Sequence, residues 1–221
     1  FRSKATLVRL SDVFREKHAR LEAAAFGIER RQAIAAVNAS KTGGRPLGDS
    51  QFDFAISQPV RLRRVVVDAD HGIPFMSSSE MLDLRPRGDT FISRKLTPNL
   101  DKLLIKPYDV LVSRSGTVGN VSLAGQRIGG WALTEHALRL SAPTPEEPGF
   151  VAAFLRSRYG RPQLQQAAYG PVVVHIEPDH LREVLLPAAD AIRRVSIGAA
   201  MKKAADLRDH ANSLLDDADR A

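Results

Sequence analysis

The chain has 221 residues, is 43% hydrophobic, and carries a formal net charge of +7 with a pI of about 10.0. That length suits one compact domain with an appended element, or two small domains, and the apolar content is enough for a core. No apolar run is long enough to span a bilayer, and the absence of cysteine excludes disulfides and thiolate metal sites.

The opening FRSKATLVRL is short and basic, unlike a signal peptide, so the expected compartment is the cytoplasm. A start on Phe1 reads as a processed or partial chain. Residues 5–38 are rich in Ala, Glu, Arg and Gln and predict helix, with Ser11 as a possible N-cap. Val13, Phe14, His18, Leu21 and Ala25 recur at helical spacing. Gly27 should interrupt, with a second helical piece over Ile28 to Val37. Lys41 to Gly48 reads as a loop and the first boundary.

From residue 50 to 140 the pattern changes to short strands and turns. Strands are expected at Val65–Val67, Asp89–Ser93, Val110–Val112, Val121–Leu123 and Ala137–Leu140, with Ser78 or Ser79 capping a short helix. Trp131 is expected in the core or at its rim. Pro143 to Pro148 reads as a loop, Gly149 opens a helix, and residues 169–176 give a loop and then a buried strand. A helical turn at Glu177–Leu181 and a strand at Val184–Pro187 follow.

Residues 188–221 predict one long helix with Gly198 as its weak point. Ile197, Ala200, Ala204, Leu207, Ala211, Leu214 and Ala218 alternate three and four apart, a heptad seam. It is narrower than a core-facing stripe and suits pairing with one other helix; packing on the chain's own domain is the alternative.

The positive charge is uneven. Residues 1–106 hold 19 Lys+Arg against 12 Asp+Glu, whereas residues 107–221 hold 13 of each. Arg61, Arg63 and Arg64 form one cluster, and Arg85, Arg87, Arg94, Lys95, Lys102 and Lys106 another, which points to a nucleic-acid partner. Between a short apolar strand and the next turn lies Ser113-Arg114-Ser115-Gly116-Thr117-Val118-Gly119. Two glycines three apart permit positive φ or close approach, and the hydroxyls and guanidinium could hold a phosphate oxygen or a base edge. The same residues also suit a plain hairpin whose hydroxyls satisfy its own backbone. No zinc pair, nucleotide phosphate loop, dinucleotide fingerprint, nucleophile elbow or amino-methyltransferase motif occurs, so every enzyme reading lacks its working residues.

In order, these segments resemble the target-recognition domain of a type I restriction-modification specificity subunit. Gly72-Ile73-Pro74-Phe75-Met76 with Glu80-Met81, and Tyr108-Asp109-Val110-Leu111 with Gly116-Thr117-Val118-Gly119, are similar to that family's motifs. So are Ala152 to Leu155, Tyr169-Gly170, His175-Ile176 and Leu185-Leu186-Pro187, while Arg20-Leu21-Glu22-Ala23 looks like a lead-in. The resemblance implies an α+β fold: a helical segment over 1–44, a β-rich recognition domain over 45–187, and a spacer or dimerisation helix over 188–221.

It implies a non-catalytic reader of one half of a split DNA sequence. S-adenosylmethionine would belong to a partner adenine methyltransferase, and a restriction subunit is a further partner. With one recognition domain and one spacer helix, the chain would be half of a longer subunit or a half-subunit that dimerises through the seam. A motif shared by proteins that read different sequences cannot specify bases, so Ser113, Arg114, Ser115 and Thr117 are assigned to scaffold or phosphate positioning. Base readout is expected from Arg85, Arg87, Arg94, Lys95, Lys102 and His175, beside Tyr169 and the Arg61–Arg64 cluster. The alternative is an interaction module of a related defence complex that assembles through its helix without reading DNA.

Overall fold

The computed structural model describes residues 7–15, 23–144, 146–170 and 173–221; His18, Leu21 and residues 20–22 of the lead-in lie outside them. Helix α1 is Leu10–Arg15, which places Ser11 inside the helix rather than at its cap. A 3-10 turn at Ala23–Phe26 precedes Gly27, and α2 follows as Ile28–Asn38. No local side chain caps α2. The distant Gln166 does so, its Oε1 accepting from the Arg30 N–H at 3.1 Å.

The expected loop over 41–48 contains β1, Gly44–Pro46, paired antiparallel with β10, Leu185–Pro187. The Leu47 and Gly48 amides extend this contact to the carbonyls of Val184 and Arg182. A strand made by a partner so far along the chain leaves only Gly and Pro turn signals locally.

Two four-stranded sheets form the body. One orders β2 (Ala55–Ser57), β9 (Ala137–Ser141), β6 (Val110–Ser113) and β7 (Val121–Leu123). The other orders β3 (Val66–Val67), β5 (Phe91–Ser93), β4 (Gly72–Met76) and β8 (Ala132–Leu133). Strand β6 sits between layers. Val110 and Val112 point into the main core with Phe150, Val151 and Leu155, whereas Leu111 joins Met76, Ile105 and Leu133. Burial on both faces explains its unbroken apolar run.

The Gly72–Met76 motif is itself a strand, with a proline inside. The Phe75 amide donates to Thr90 on the β5 side, and β8 pairs only with Phe75 and Met76, so Pro74 stands where no donor is missed. Ser77, rather than Ser78 or Ser79, serves the next turn, its Oγ accepting from the Glu80 N–H at 3.2 Å. Trp131 is half-buried at the rim of its cluster, over Gly88.

Helix α3 is Glu146–Arg156, starting three residues before Gly149 because Pro148 is tolerated in a first turn. Helix α4 is Arg161–Gln165 and α5 is Pro178–Arg182. The buried strand expected over 169–176 is absent from the described residues there, which exclude 171 and 172. Tyr169 and His175 instead exchange a backbone pair, and Val173 and Val174 are exposed. The chain turns back at Gly170 (φ 127°) before a ladder can form.

The tail forms α6, Ala191–Arg220, capped by Asp190. Gly198 is a crossing point and not a weak point. A Cβ there would lie 1.9 Å from the Glu146 carbonyl oxygen, and one on Gly149 would lie 2.4 Å from the Gly198 carbonyl oxygen. Farther along, the attachment is polar. Asp206 accepts from the Tyr108 hydroxyl at 2.8 Å, Asp209 from the Arg127 amide at 2.8 Å, and Asn212 donates to the Leu84 carbonyl at 2.9 Å. Asp216 takes both Arg85 and Arg127, and Asp219 also takes Arg85.

Tyr108 adopts φ 66°, a conformation that favours glycine, and its hydroxyl reaches α6 from that strained position. The face of α6 against the body includes Gly198, Ala205 and Asn212, seven apart, and the seven seam residues all lie on its exposed side.

Gly198→Val should force the two helices apart and lower stability by about 1–3 kcal/mol. Urea unfolding followed by circular dichroism measures this, and an unchanged midpoint would refute the close crossing. The hydrogen bonds of Arg127 and Arg85 hold the Asp216 carboxyl at about 2, below the usual aspartate value of about 3.9. A depressed carboxyl stabilises the fold above its unfolded value, and that contribution fades as pH falls toward 2. Hydrogen exchange over the end of α6, taken relative to the intrinsic rate at each pH, should therefore quicken between about pH 4 and 2. Asp216→Asn should bring the fast exchange to neutral pH, and identical exchange in variant and parent would refute the polar strap.

Candidate nucleic-acid interface

The loop joining β6 to β7 turns at Gly116 (φ 76°) and Gly119 (φ 80°), the positive-φ positions its spacing requires. Ser113 is buried and works inward: its Oγ donates to the Thr117 carbonyl and accepts from the Asn120 amide at 2.9 Å. Gly119 packs on α4, where a Cβ would sit 3.1 Å from the Leu164 Cβ. Thr117 is exposed.

On its other edge the loop is clamped between two distant segments. The Arg114 amide donates to the His136 carbonyl at 2.8 Å, and the Ile176 amide donates to the Arg114 carbonyl at 3.0 Å. The Arg114 guanidinium pairs with Glu177. The Ser115 hydroxyl lies 2.9 Å from His136 Nδ1, and Ser115 bridges to His175 through the backbone. The His175 ring is 4.3 Å from the Tyr169 ring, centroid to centroid, and its Nε2 is 3.6 Å from Glu177 Oε1.

The strip continues past His136 through Glu135. Arg64 Nη2 donates to both Glu135 carboxylate oxygens at 2.8 and 2.9 Å, while its guanidinium lies 4.6 Å over the Phe75 ring. Burial alone would raise the Glu135 carboxyl. Its own backbone amide, Arg64 and the His136 charge outweigh that and hold it below the usual range. Arg61 and Arg63 stand exposed on the same segment.

Four stretches far apart in sequence thus meet along one surface: 61–64, 114–115, 135–136, and Tyr169 with residues 173–177. The exposed imidazole of His136, the Ser115 hydroxyl and the His175 ring offer donors and acceptors, and Val173 and Val174 offer apolar contact. Hydrogen-bonding and apolar groups of these kinds are the ones able to pair with polar edges and methyl groups of a ligand, and Arg61 and Arg63 add exposed positive charge.

The remaining predicted residues fall elsewhere. Arg94, Lys95 and Lys102 are exposed around the β3–β5–β4–β8 sheet, with Arg94 Nε donating to the Gly72 carbonyl at 2.8 Å. Arg87 is exposed, and its backbone amide donates to Glu80. The Arg85 guanidinium is taken up by Asp216 and Asp219 and does not join the strip. His136 carries no signal in the sequence. A lone histidine in Thr134-Glu135-His136-Ala137 has no periodicity or motif, and only the β8–β9 turn brings it to Ser115. Among the described residues no group of His, Asp and Glu could hold a metal ion, and no helix is long and apolar enough to cross a membrane.

No family model matches the chain, and no curated protein does. Solved structures do. A structure explaining complex assembly and conformational transition of the type I restriction-modification system matches at 17% identity and TM-score 0.56, over 94% of this chain and 51% of that one. The HsdS subunit from Thermoanaerobacter tengcongensis matches at 18% identity and TM-score 0.53, over 86% and 45%. The type IIG restriction endonuclease BpuSI matches at 11% identity and TM-score 0.56, over 83% of this chain and 29% of the enzyme. The chain spans about half the length of the type I structures it matches. It has the α+β fold of the type I restriction-modification specificity subunits that its ordered motifs resemble.

Proposed function

We propose that the chain is a non-catalytic reader of one half of a split DNA sequence. It directs a partner adenine methyltransferase, which would carry the S-adenosylmethionine, and where cleavage accompanies methylation a restriction subunit. Its setting is the cytoplasm. The observation that carries this reading is the strip itself: the Arg61–Arg64 cluster, the central loop and the Tyr169–His175 turn converge on one face through Glu135 and His136. Their chemistry suits base-edge and phosphate contact, and among the described residues no group of His, Asp and Glu could hold a metal ion.

The seam supplies the second recognition element. Ile197, Leu207 and Leu214 are 42%, 58% and 57% exposed, and the four seam alanines are exposed with them. The opposite face of α6 already packs on the body, so the seam is free to pair with the equivalent helix of a second copy or of a second recognition domain. A reading in which the chain only assembles, without touching DNA, draws on this same seam.

Selection from a random duplex pool separates the two. The reader should enrich a short motif and show a log–log salt slope near −5 if about six phosphates are neutralised. No enrichment together with a slope near zero would end the DNA reading. The double variant Leu207→Asp, Leu214→Asp should abolish dimerisation or docking in sedimentation velocity, with the far-ultraviolet spectrum retained. Unaltered sedimentation of an assembled parent would reject the seam.

A further inference from the structure

The central loop has a second side. Where Arg114 and Ser115 face the strip, Gly119 and Asn120 wall a cleft of about 400 Å³ into which Arg156, Arg161 and Arg208 also open. Across the ridge that carries Arg156 and Arg161 lies a groove of about 780 Å³, also lined by Arg158.

Together with Arg194 on α6, these arginines differ from the other arginines of the C-terminal half. In the C-terminal half Arg114, Arg127, Arg139, Arg182, Arg193, Arg208 and Arg220 each stand within ion-pair distance of a carboxylate. Among the described residues no such pairing is present for Arg156, Arg158 or Arg161, all three exposed. The sequence has no Asp or Glu between Glu147 and Glu177, so any counter-charge comes from another segment, and Glu29 on α2 is the one carboxylate lining the groove. Arg158 is steadied at the ridge, its Nη2 donating to the Tyr159 hydroxyl at 2.6 Å and its guanidinium 4.8 Å over that ring.

Within the cleft Arg208 is already engaged: it donates to the Leu123 carbonyl at 2.9 Å and lies 4.0 Å from Asp209. Asp83 contributes one carboxylate to the lining. That leaves Arg156 and Arg161 as the guanidiniums with unspent charge. Such uncompensated forks concentrate positive potential and match the paired oxygens of a phosphate.

We propose that Arg156 and Arg161 form a phosphate anchor that holds the backbone of the same duplex beyond the bases read by the strip. This rests on the DNA-reading function above. The argument for a nucleic-acid phosphate over an acidic protein is continuity. One loop, 113–120, forms the edge of the strip with Arg114 and Ser115 and the wall of the cleft with Gly119 and Asn120. A duplex lying on the strip and passing over this loop meets the cleft next. Contacts of that kind fix register and carry no sequence preference.

The test compares the full chain with the double variant Arg156→Gln, Arg161→Gln on the enriched duplex and on random duplex, across a salt series. Both residues are exposed, so the fold should be kept, which circular dichroism checks. The expected result is about a tenfold or greater loss of affinity, equal on the two duplexes, with a slope shallower by nearly 2. Arg156→Lys with Arg161→Lys should restore the slope. Parent-like affinity and slope in the Gln variant would overturn the anchor, and so would selective loss on the enriched duplex, which would mean base readout. Normal DNA binding with lost capture of the companion methyltransferase would assign the cleft to an acidic protein face and overturn it too. Failure of the parent to bind any duplex would instead strike the DNA-reading function itself, and the anchor with it.

Discussion

A row of polar side chains on one face of α6, from Asp206 to Asp219, ties that helix to the body, and the placement of everything else on the helix follows from it. Close crossing at Gly198 and Gly149 sets the depth of one end, and hydrogen bonds to Tyr108, Arg127 and Arg85 set the rotation of the other. With that rotation fixed, the heptad seam has to face outward. A helix that packed on its domain through leucines would have no apolar stripe left. Attachment through backbone contact, the small apolar contribution of Met201 and Ala205, and charge leaves Leu207 and Leu214 free.

The same division of labour shapes the central loop. Ser113, Gly116 and Gly119 are consumed in holding the loop's own shape, which suits a motif common to proteins that read different sequences. The exposed chemistry comes from turns that the loop merely organises: His136 from the β8–β9 turn and His175 from the turn after Tyr169. Loop-shaping residues and solvent-facing side chains thus sit side by side with little overlap. Asp109 behaves like the motif residues. Burial pushes its carboxyl up, and it is held by the Ser141 hydroxyl, the Lys106 amide and Arg139 in a purely structural setting.

Charge averaged over long stretches conceals this arrangement. The C-terminal half is neutral in total, yet five of its acids stand on α6, several of them bound to arginines of the body, while Arg156, Arg158 and Arg161 stay uncompensated on α3, on α4 and between them. The N-terminal half carries the net positive charge, yet Arg64 and Arg85 are each committed to a carboxylate. Pairing in three dimensions decides which cations remain available to an anionic partner, and that pairing joins Arg64 to a carboxylate 71 positions away and Arg85 to carboxylates 131 and 134 positions away.

The sequence by itself determined the elements whose signals are local. The long helix, the apolar β6 run, the β7 and β9 strands, the positive-φ glycines at 116 and 119, and the heptad seam all follow from periodicity or from the geometry of single residues. The order of motifs was enough to name the fold. Tertiary structure alone decided that Gly44–Pro46 is a strand, that 173–176 is not, and that Gly198 is a packing point. It also brought His136 to Ser115, took Arg85 to α6, and left Arg156 and Arg161 free. Each of these depends on which distant segment lies alongside, and a pattern read within a few residues carries no trace of a neighbour supplied by chain closure.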